Sequence, residues 1–278
     1  MHICLDGHAA AGRSVVALGM FDGLHLGHQV LLKRASALAK RLGATFAAAT
    51  FITHPMGIIQ PEKCPPMLST FEERVARMEA LGVELLCAQP FDQDMMNTPP
   101  EVFVARLCEC LHPCCIVVGY NHTFGRRREG NPALLADIGT IFGFVVEVVP
   151  RLTLAGKEVS STAVRELLAR GMVEEARRML WRPYGREAVV VEWKNGEYRL
   201  SMLNNGKQDV PPGRYRVLVE HGDSSLSGTL RTQRGGRGIL VSAGGFSDGM
   251  EVRLQFCQRL GVVMGRWENR DRTHAPVS

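Results

Sequence analysis

The chain has 278 residues, 45% hydrophobic and 22% charged, with a formal net charge of +5. This is the profile of a globular protein, and the length suits about two domains, each with its own core. The mild positive balance suits a partner bearing phosphates, while 6% aromatic residues offers little for base stacking, so nucleic acid is not an expected partner.

The first residues, MHICLDGHAAAGRS, lack a basic segment leading into an apolar one, so they do not read as a secretory leader. The longest apolar run, Ala44–Ile52, is too short to span a bilayer. The expectation is a cytoplasmic protein without membrane association, its eight cysteines reduced thiols rather than a disulfide framework. Nothing in the sequence fixes the oligomeric state.

Val15–Met20 reads as a buried strand that passes through FDGLHLGH into a helix. On that helix Val30, Leu31, Ala35, Leu38 and Leu42 share a face, and Gly43 ends it. ATFAAATF is the next strand. Residues 70–81 form a helix with Thr70 and Glu73 as a capping box, and Leu85–Ala88 a short strand. Pro100–Leu111 is a helix with proline in its first turn, followed by strands at Cys115–Gly119 and Phe144–Val149. Strands alternating with helices predict a parallel sheet covered on both faces. Helical signal continues through SSTAVRELLARGMVEEARRML.

The texture changes after Trp181-Arg182-Pro183-Tyr184. From Glu187 to Gly261 short alternating runs (AVVVEW, YRLSML, RYRVLVEH, GILVSA, EVRLQF) are separated by Asn-Gly, Pro-Pro-Gly, Gly-Gly and Asp-Gly turns. This is the pattern of a small antiparallel barrel or sandwich. The division expected is 1–184 for an α/β domain, 185–265 for the β domain and 266–278 for a charged, frayed tail. The fold class expected is α/β, a parallel-sheet domain followed by a small antiparallel barrel or sandwich.

The sharpest motif is Gly19-Met20-Phe21-Asp22-Gly23-Leu24-His25-Leu26-Gly27-His28, where the first strand hands over to a helix. In open α/β sheets ligands collect at the carboxyl ends of strands, and a helix N-terminus offers free amides. Gly19, Gly23 and Gly27 let backbone approach a phosphate, and His25 and His28, three apart, suit stabilisation of charge on one anion. A second constellation, Ser160-Ser161-Thr162-Ala163-Val164-Arg165, sets hydroxyls, amides and a guanidinium at a helix start. It reads either as another phosphate clamp or as an ordinary capped helix. Between them lies VGYNHTFGRRREGN, in which Asn121 can donate and accept at a base, a ribose or a metal-bound water. Arg126, Arg127 and Arg128 there are either phosphate contacts or solvated charges.

The HxGH element resembles the signature of the nucleotidyltransferase superfamily, whose members join a nucleoside monophosphate from a triphosphate onto a phosphate acceptor. Taken in order, GMFDGLHLGH, TFITHP (Thr50–Pro55), VGYNHTFGRRREGN, VSSTAVR and WRPYG resemble the FAD synthetase module of the bacterial bifunctional riboflavin kinase/FMN adenylyltransferase family. The resemblance covers roughly residues 15–184. It implies that ATP and FMN give FAD and pyrophosphate, with magnesium carried on ATP rather than held by an assigned protein ligand. By position, Gly19, Phe21, Asp22, Gly23, Asn121, Ser161, Thr162 and Arg165 would hold ATP. His25 and His28 would serve the reacting phosphates, while His54, Pro55, Phe124 and Arg126 would lie near the flavin. His122 stands where this family often has an aromatic residue.

The second domain departs from the family. A riboflavin kinase would carry a stretch of the type GRxLGFPTAN, whereas WKNGEYRLSMLNNGKQDVPPGRYRV stands here. The expectation is a kinase-like barrel without kinase activity, even with Glu251 in a late strand. Two alternatives stay open. One is another HxGH nucleotidyltransferase acting on nicotinamide mononucleotide or phosphopantetheine. The other is a flavin- or nucleotide-binding regulator without catalysis.

Three features read as decoys. Gly7–Ser14 imitates a P-loop but has no convincing strand before it and runs into a strand. Cys108, Cys110, Cys114 and Cys115 have no zinc-ligand spacing and read as buried thiols. Gly235-Gly236-Arg237-Gly238 reads as a hairpin turn.

Overall fold

The computed structural model describes residues 1–5 and 12–261. The chain divides into two compact units. The first comprises residues 1–169, 175–184 and 204–209, the second 170–174, 185–203 and 210 onward. The expected frayed tail lies outside the described residues, as does most of the P-loop look-alike.

In the first unit the elements run β1 (His2–Cys4), β2 (Ser14–Leu18), α1 (Leu26–Leu42), β3 (Thr45–Phe51), α2 (Met56–Ile59), α3 (Phe71–Ala80) and β4 (Leu85–Gln89). They continue with α4 (Gln93–Asn97), α5 (Pro100–Leu111), β5 (Pro113–Gly119), α6 (Pro132–Phe142) and β6 (Val145–Val149). A two-stranded ribbon, β7 (Thr153–Leu154) with β8 (Lys157–Glu158), leads into α7 (Ser161–Ala169) and α8 (Val173–Leu180). β1 to β6 form one parallel sheet in the order β1-β4-β3-β2-β5-β6.

Period-two alternation explains why the inner strands read as unbroken apolar runs. In β2, Val16 and Leu18 join one core with Ala47, Ala49, Ile116 and Val118. Val15 and Ala17 join the opposite core with Phe46, Ala48, Cys115 and Val117. Helix α5 covers the first face through Phe103, Val104, Leu107 and Leu111, and α6 through Leu135 and Ile138. Helices α1 and α3 cover the second, through Leu31, Leu32, Ala35, Leu38, Ala39 and Met78.

The buried face of α1 is therefore turned from the one expected. Val30 and Leu42 are exposed, and Leu32 and Ala39 take their places. The sheet contacts the helix along 31, 35, 38 and 32, 39, a stripe to which the flanking Val30 and Leu42 do not belong. The predicted capping box on α3 forms, with Glu73 N–H donating to Thr70 Oγ1 at 3.3 Å and Thr70 N–H to Glu73 Oε2 at 3.1 Å. Strand β1, unexpected because it has only three residues, precedes the P-loop look-alike and pairs with β4.

The second unit is a closed antiparallel barrel in the order β10-β13-β12-β11-β14-β9. Its strands are β9 (Tyr184–Lys194), β10 (Glu197–Met202), β11 (Gly213–His221), β12 (Ser224–Thr232), β13 (Arg237–Ser242) and β14 (Glu251–Gly261). Alternate residues fill the interior, among them Val190, Tyr215, Val217, Leu230, Leu240, Leu254 and Phe256. Closure, not a two-sheet sandwich, is what removes the edges. Strand β12 escaped the sequence reading because SSLSGTLRT has almost no apolar alternation. Gly235 and Gly236, at φ 75° and 71°, make the β12–β13 turn. Among the described residues no helix is long and apolar enough to cross a membrane.

Candidate active site

Strand β2 sits between β3 and β5, where the chain switches from building one side of the sheet to the other. Carboxyl ends of strands at such a point leave a crevice for a ligand. The backbone beyond β2 is tightly wound. Phe21 (φ 53°), Gly23 (φ 77°) and Leu24 (φ 39°) all have left-handed backbone around a 3₁₀ turn at Asp22–Leu24. A Cβ on Gly23 would lie 2.8 Å from Leu68 Cδ1, so both φ and space require glycine there. For the fully buried Phe21 the same φ is strained, and strain of this kind collects at functional sites.

The turn delivers His25 as the N-cap of α1. Its Nδ1 accepts from the backbone N–H of His28 at 3.4 Å. In the neutral ring that places the proton on Nε2. The two imidazoles stack with centroids 3.7 Å apart and planes at 19°, and Phe21 meets His28 edge-on at 5.4 Å. Burial, then the charges of Arg165 and Arg182, push His25 down to about 4. Burial, then His25, lower His28 well below the ordinary histidine range. Both rings are neutral at pH 7 and act through N–H dipoles.

Asp22 ties the two main motifs together. Its carboxylate accepts from Leu68 N–H at 2.9 Å and Ser69 N–H at 3.1 Å, and it pairs with Arg165 Nη2 at 2.6 Å. Ser161 Oγ donates to the Asp22 carbonyl at 2.9 Å, and Arg165 Nε to the Pro66 carbonyl at 2.7 Å. Arg182 Nη2 donates to the Gly23 carbonyl at 2.7 Å. The start of α7 is therefore docked on the HxGH turn, its first turn capped by Ser160 Oγ at Ala163 N–H, 3.2 Å.

A cavity of about 370 Å³ opens at the ends of β2, β3, β4 and β5. Its wall includes Gly19, Phe21 and His28 from the first motif, His54 and Pro55 from TFITHP, and Asn121 and Phe124 after β5. The rest is largely aromatic or apolar, with Phe51, Met56, Phe91, Met95 and Phe103. Phe51 and Phe91 meet edge-on at 5.0 Å, and Phe103 lies 5.7 Å from Phe124. His54 Nδ1 accepts from Met56 N–H at 3.1 Å, and burial, then Arg165, lower its pKa.

The other candidate residues stand outside this wall. His25, Asp22, Gly23, Ser161 and Arg165 form the layer that supports it, and Thr162 is exposed at the start of α7. The expectation that both imidazoles converge on one anion is thus divided: His28 lines the cavity and His25 caps the helix behind it. Arg126 makes an exposed ion pair with Glu129 at 3.2 Å, whereas Arg128 reaches the cavity wall.

Two residues near the site were not singled out from the sequence. Arg74 is 1% exposed and donates to the carbonyls of Met20 (3.1 Å), Phe51 (2.8 Å) and Ile52, and to Thr50 Oγ1 (3.3 Å). Arg182, within WRPYG, has no local sequence signal for its bond to the Gly23 carbonyl. A charged residue on a strongly amphipathic helix reads as solvated, so Arg74 gave no signal of its own.

Among the described residues no three His, Cys, Asp or Glu side chains stand together as a metal site. The one buried carboxylate of the turn, Asp22, is already held by two amides and Arg165. Cys110 Sγ lies 3.5 Å from Cys87 Sγ in the core, and burial raises the thiols of Cys108 and Cys115 to about 11, with Glu109 and Cys114 respectively adding to it.

The family model described as FAD synthetase matches residues 8–163. A bifunctional riboflavin kinase/FMN adenylyltransferase of Listeria monocytogenes is 33% identical over 178 residues, 64% of this chain and 56% of that protein. The chain thus spans just over half the length of that relative. A protein of the same description from Haemophilus influenzae is 31% identical over 240 residues, 74% of this chain and 78% of that one. A crystal structure described as a macrolide-efflux protein from Streptococcus pneumoniae superposes with a TM-score of 0.85 at 24% identity, covering 97% of this chain and 93% of that one. That likeness concerns the fold: a Rossmann-like sheet followed by a closed barrel. With the HxGH turn at the sheet's switch point and the profile match across it, the chain belongs to the FAD synthetase family of nucleotidyltransferases.

Proposed function

We propose that the chain is an FMN adenylyltransferase, transferring AMP from ATP to FMN to give FAD and pyrophosphate. One observation carries the reading: His28 of the HxGH turn shares a cavity wall with His54, Asn121 and Phe124, among aromatic and apolar side chains suited to a flat ring system. A phosphate oxygen of FMN attacks the α-phosphorus of ATP in line, and the bond to the bridging oxygen breaks as pyrophosphate leaves. No protein nucleophile is needed, and the residues position and stabilise. His28 donates from its ring to phosphate oxygens that gain charge, and His25 sets the orientation of His28 by stacking and capping.

In this reading Gly19 and Phe21 shape the ATP side of the cavity with Asn121, and Ser161, Thr162 and Arg165 flank it from α7. His54, Pro55 and Phe124 lie on the flavin side, where Arg128 replaces Arg126. Magnesium arrives with ATP as substrate, since Asp22 is already committed to the fold. The barrel, which lacks a Pro-Thr-Ala-Asn element in its first hairpin region, makes no FMN from riboflavin. The domain division proposed is 1–184 for the transferase and 185–265 for this barrel, in a cytoplasmic protein.

Incubation with ATP, magnesium and either FMN or riboflavin, followed by chromatography, tests the reading. FAD from FMN and no flavin product from riboflavin is the expected result. FMN formed from riboflavin would overturn the loss of kinase activity, and no FAD from FMN would overturn the transferase assignment.

A further inference from the structure

The loop after β5 folds back on itself. Phe124 N–H donates to the Gly130 carbonyl at 3.2 Å, and Gly130 N–H to the Phe124 carbonyl at 2.9 Å. The arc between them holds a 3₁₀ turn at Arg126–Arg128. Arg126 N–H anchors it on the Thr98 carbonyl at 2.7 Å, and Arg128 N–H closes it on the Gly125 carbonyl at 3.2 Å. Gly125 stands at φ 71°, and a Cβ there would lie 2.7 Å from Pro100 Cγ, so the turn begins tight against α5. Arg127 and Arg128 then take left-handed backbone, at φ 51° and 62°. Two successive residues with side chains in that region cost the fold energy, and such strain collects at functional sites.

The turn carries Arg128 into the cavity wall, whereas Arg126 pairs with Glu129 and Arg127 stands outside the wall. Among the described residues lining the cavity, Arg128 is the one charged side chain, since His28 and His54 are neutral at pH 7. The other arginines near the site are committed to the fold. Arg165 is held by Asp22 and the Pro66 carbonyl, Arg74 by the Met20 and Phe51 carbonyls, and Arg182 by the Leu180 and Gly23 carbonyls. Arg128 is exposed, and its guanidinium makes no hydrogen bond or ion pair with the described residues. A ligand can therefore reach it without breaking a bond of the fold, and its planar fork matches two phosphate oxygens.

Its place in the cavity distinguishes between the phosphates of the two substrates. Burial, then Arg165, lower His54, and Arg74 and Arg128 add to this; at His25 burial is followed by Arg165 and Arg182. Arg128 thus lies toward His54, on the same loop as Phe124.

Resting on the reading of FMN as acceptor, we propose that Arg128 is a specificity-determining residue that binds the phosphate of FMN and so separates FMN from riboflavin. Phe51, Phe103, Phe124 and Met95 meet the same ring system in both flavins and cannot tell them apart. The phosphate is the difference, and a charge-assisted pair with a guanidinium reads it. Held at two oxygens, the phosphate keeps a third to attack the α-phosphorus of ATP, so the contact also sets the direction of approach.

The test follows flavin binding by fluorescence titration of wild type, Arg128→Gly and Arg128→Lys with FMN and with riboflavin, and measures KM for FMN and for ATP in FAD formation. Glycine suits a left-handed φ, so Arg128→Gly removes the guanidinium without new strain, and its Tm is expected at or above that of wild type. Wild type is expected to bind FMN more tightly than riboflavin. Arg128→Gly should bind FMN about tenfold more weakly, with its riboflavin affinity unchanged. KM for FMN should rise by a similar factor while KM for ATP stays within about twofold of wild type. Arg128→Lys keeps the charge without the fork and should recover part of the loss. If Arg128→Gly does not fold, Arg128→Asn, which also tolerates this backbone, takes its place.

An FMN affinity in Arg128→Gly within about twofold of wild type, an equal loss for riboflavin, or a rise in KM for ATP that matches the rise for FMN would each overturn the proposal. The titration needs no turnover. Wild-type protein that makes no FAD from FMN would overturn the transferase reading, while the preference for FMN over riboflavin would still decide the phosphate contact.

Discussion

Asp22 and Arg165, 143 residues apart in the chain, meet in an ion pair of 2.6 Å whose carboxylate is 2% exposed. The same carboxylate receives the amides of Leu68 and Ser69, so one side chain joins the HxGH turn, the segment before α3 and helix α7. The pair makes the second sequence motif a support for the first.

Asp22→Ala removes the acceptor of two buried amides and leaves the Arg165 guanidinium without its charge partner. Breaking a buried pair from one side typically costs 3–5 kcal/mol, so a loss of about that size is expected. Urea unfolding checks it through the midpoint, with the slope unchanged if the unfolded state is the same. A loss under about 1 kcal/mol would place the pair with ordinary surface ion pairs.

His28 stands in the cavity wall and His25 does not. His28→Ala is therefore expected to lower kcat for FAD formation on the order of 10²–10³-fold, the effect of removing one donor to developing charge. Binding of FMN, measured by fluorescence titration, should change less than about threefold. Equal losses in both would assign His28 to positioning alone.

The parallel sheet was legible because β2, β3 and β5 are buried on both faces and so read as short apolar runs, and because Gly43 and the Thr70–Glu73 box punctuate their helices. Strand β12 was not, because its inward positions include Gly228 and Thr232 rather than large apolar side chains. In the site, the HxGH spacing pointed to His28 and the family resemblance to His54 and Phe124, and all three stand in the cavity wall. Spacing could not say that His25 points behind the wall, because capping depends on where the helix begins. Nor could it show Asp22 and Arg165 as partners. That contact depends on α7 returning to the β2 turn, a tertiary relation with no local signal.

The buried imidazoles make stability depend on pH. His25 and His122 are lowered to about 4, and His28 and His54 are lowered as well. Below about pH 6.5 the unfolded chain binds protons on these rings that the folded chain refuses, so unfolding gains on folding as pH falls. Their contribution is fully present above pH 6.5 and is lost progressively down to about 4. The step from 6.5 to about 4 corresponds to about 3 kcal/mol for each of His25 and His122. Urea midpoints between pH 7 and 5, a window in which most carboxylates stay ionised, should fall steadily, and less steeply in His122→Phe. A flat profile would mean that the rings take up protons in the folded state.

Arg74 ties together two strand ends that border the cavity. Its guanidinium spans the Met20 carbonyl after β2 and the Phe51 and Ile52 carbonyls at the end of β3, holding two strand ends at a set distance, and Thr50 Oγ1 joins them. The aromatic face of Phe71 lies 5.3 Å below it. Arg74→Met keeps much of the volume but takes the guanidinium donor from the Phe51 and Ile52 carbonyls, while Thr50 Oγ1 still donates to Met20, so a loss of about 3 kcal/mol is expected in urea unfolding. Arg74→Lys keeps the charge, yet one ammonium cannot reach the acceptors that the planar fork reaches, and it should recover less than half of that loss. Because Thr50 and Phe51 line the cavity, both variants should also raise KM for FMN at temperatures where they remain folded. A lysine variant as stable as wild type would show that charge alone, and not the fork, holds the two strand ends.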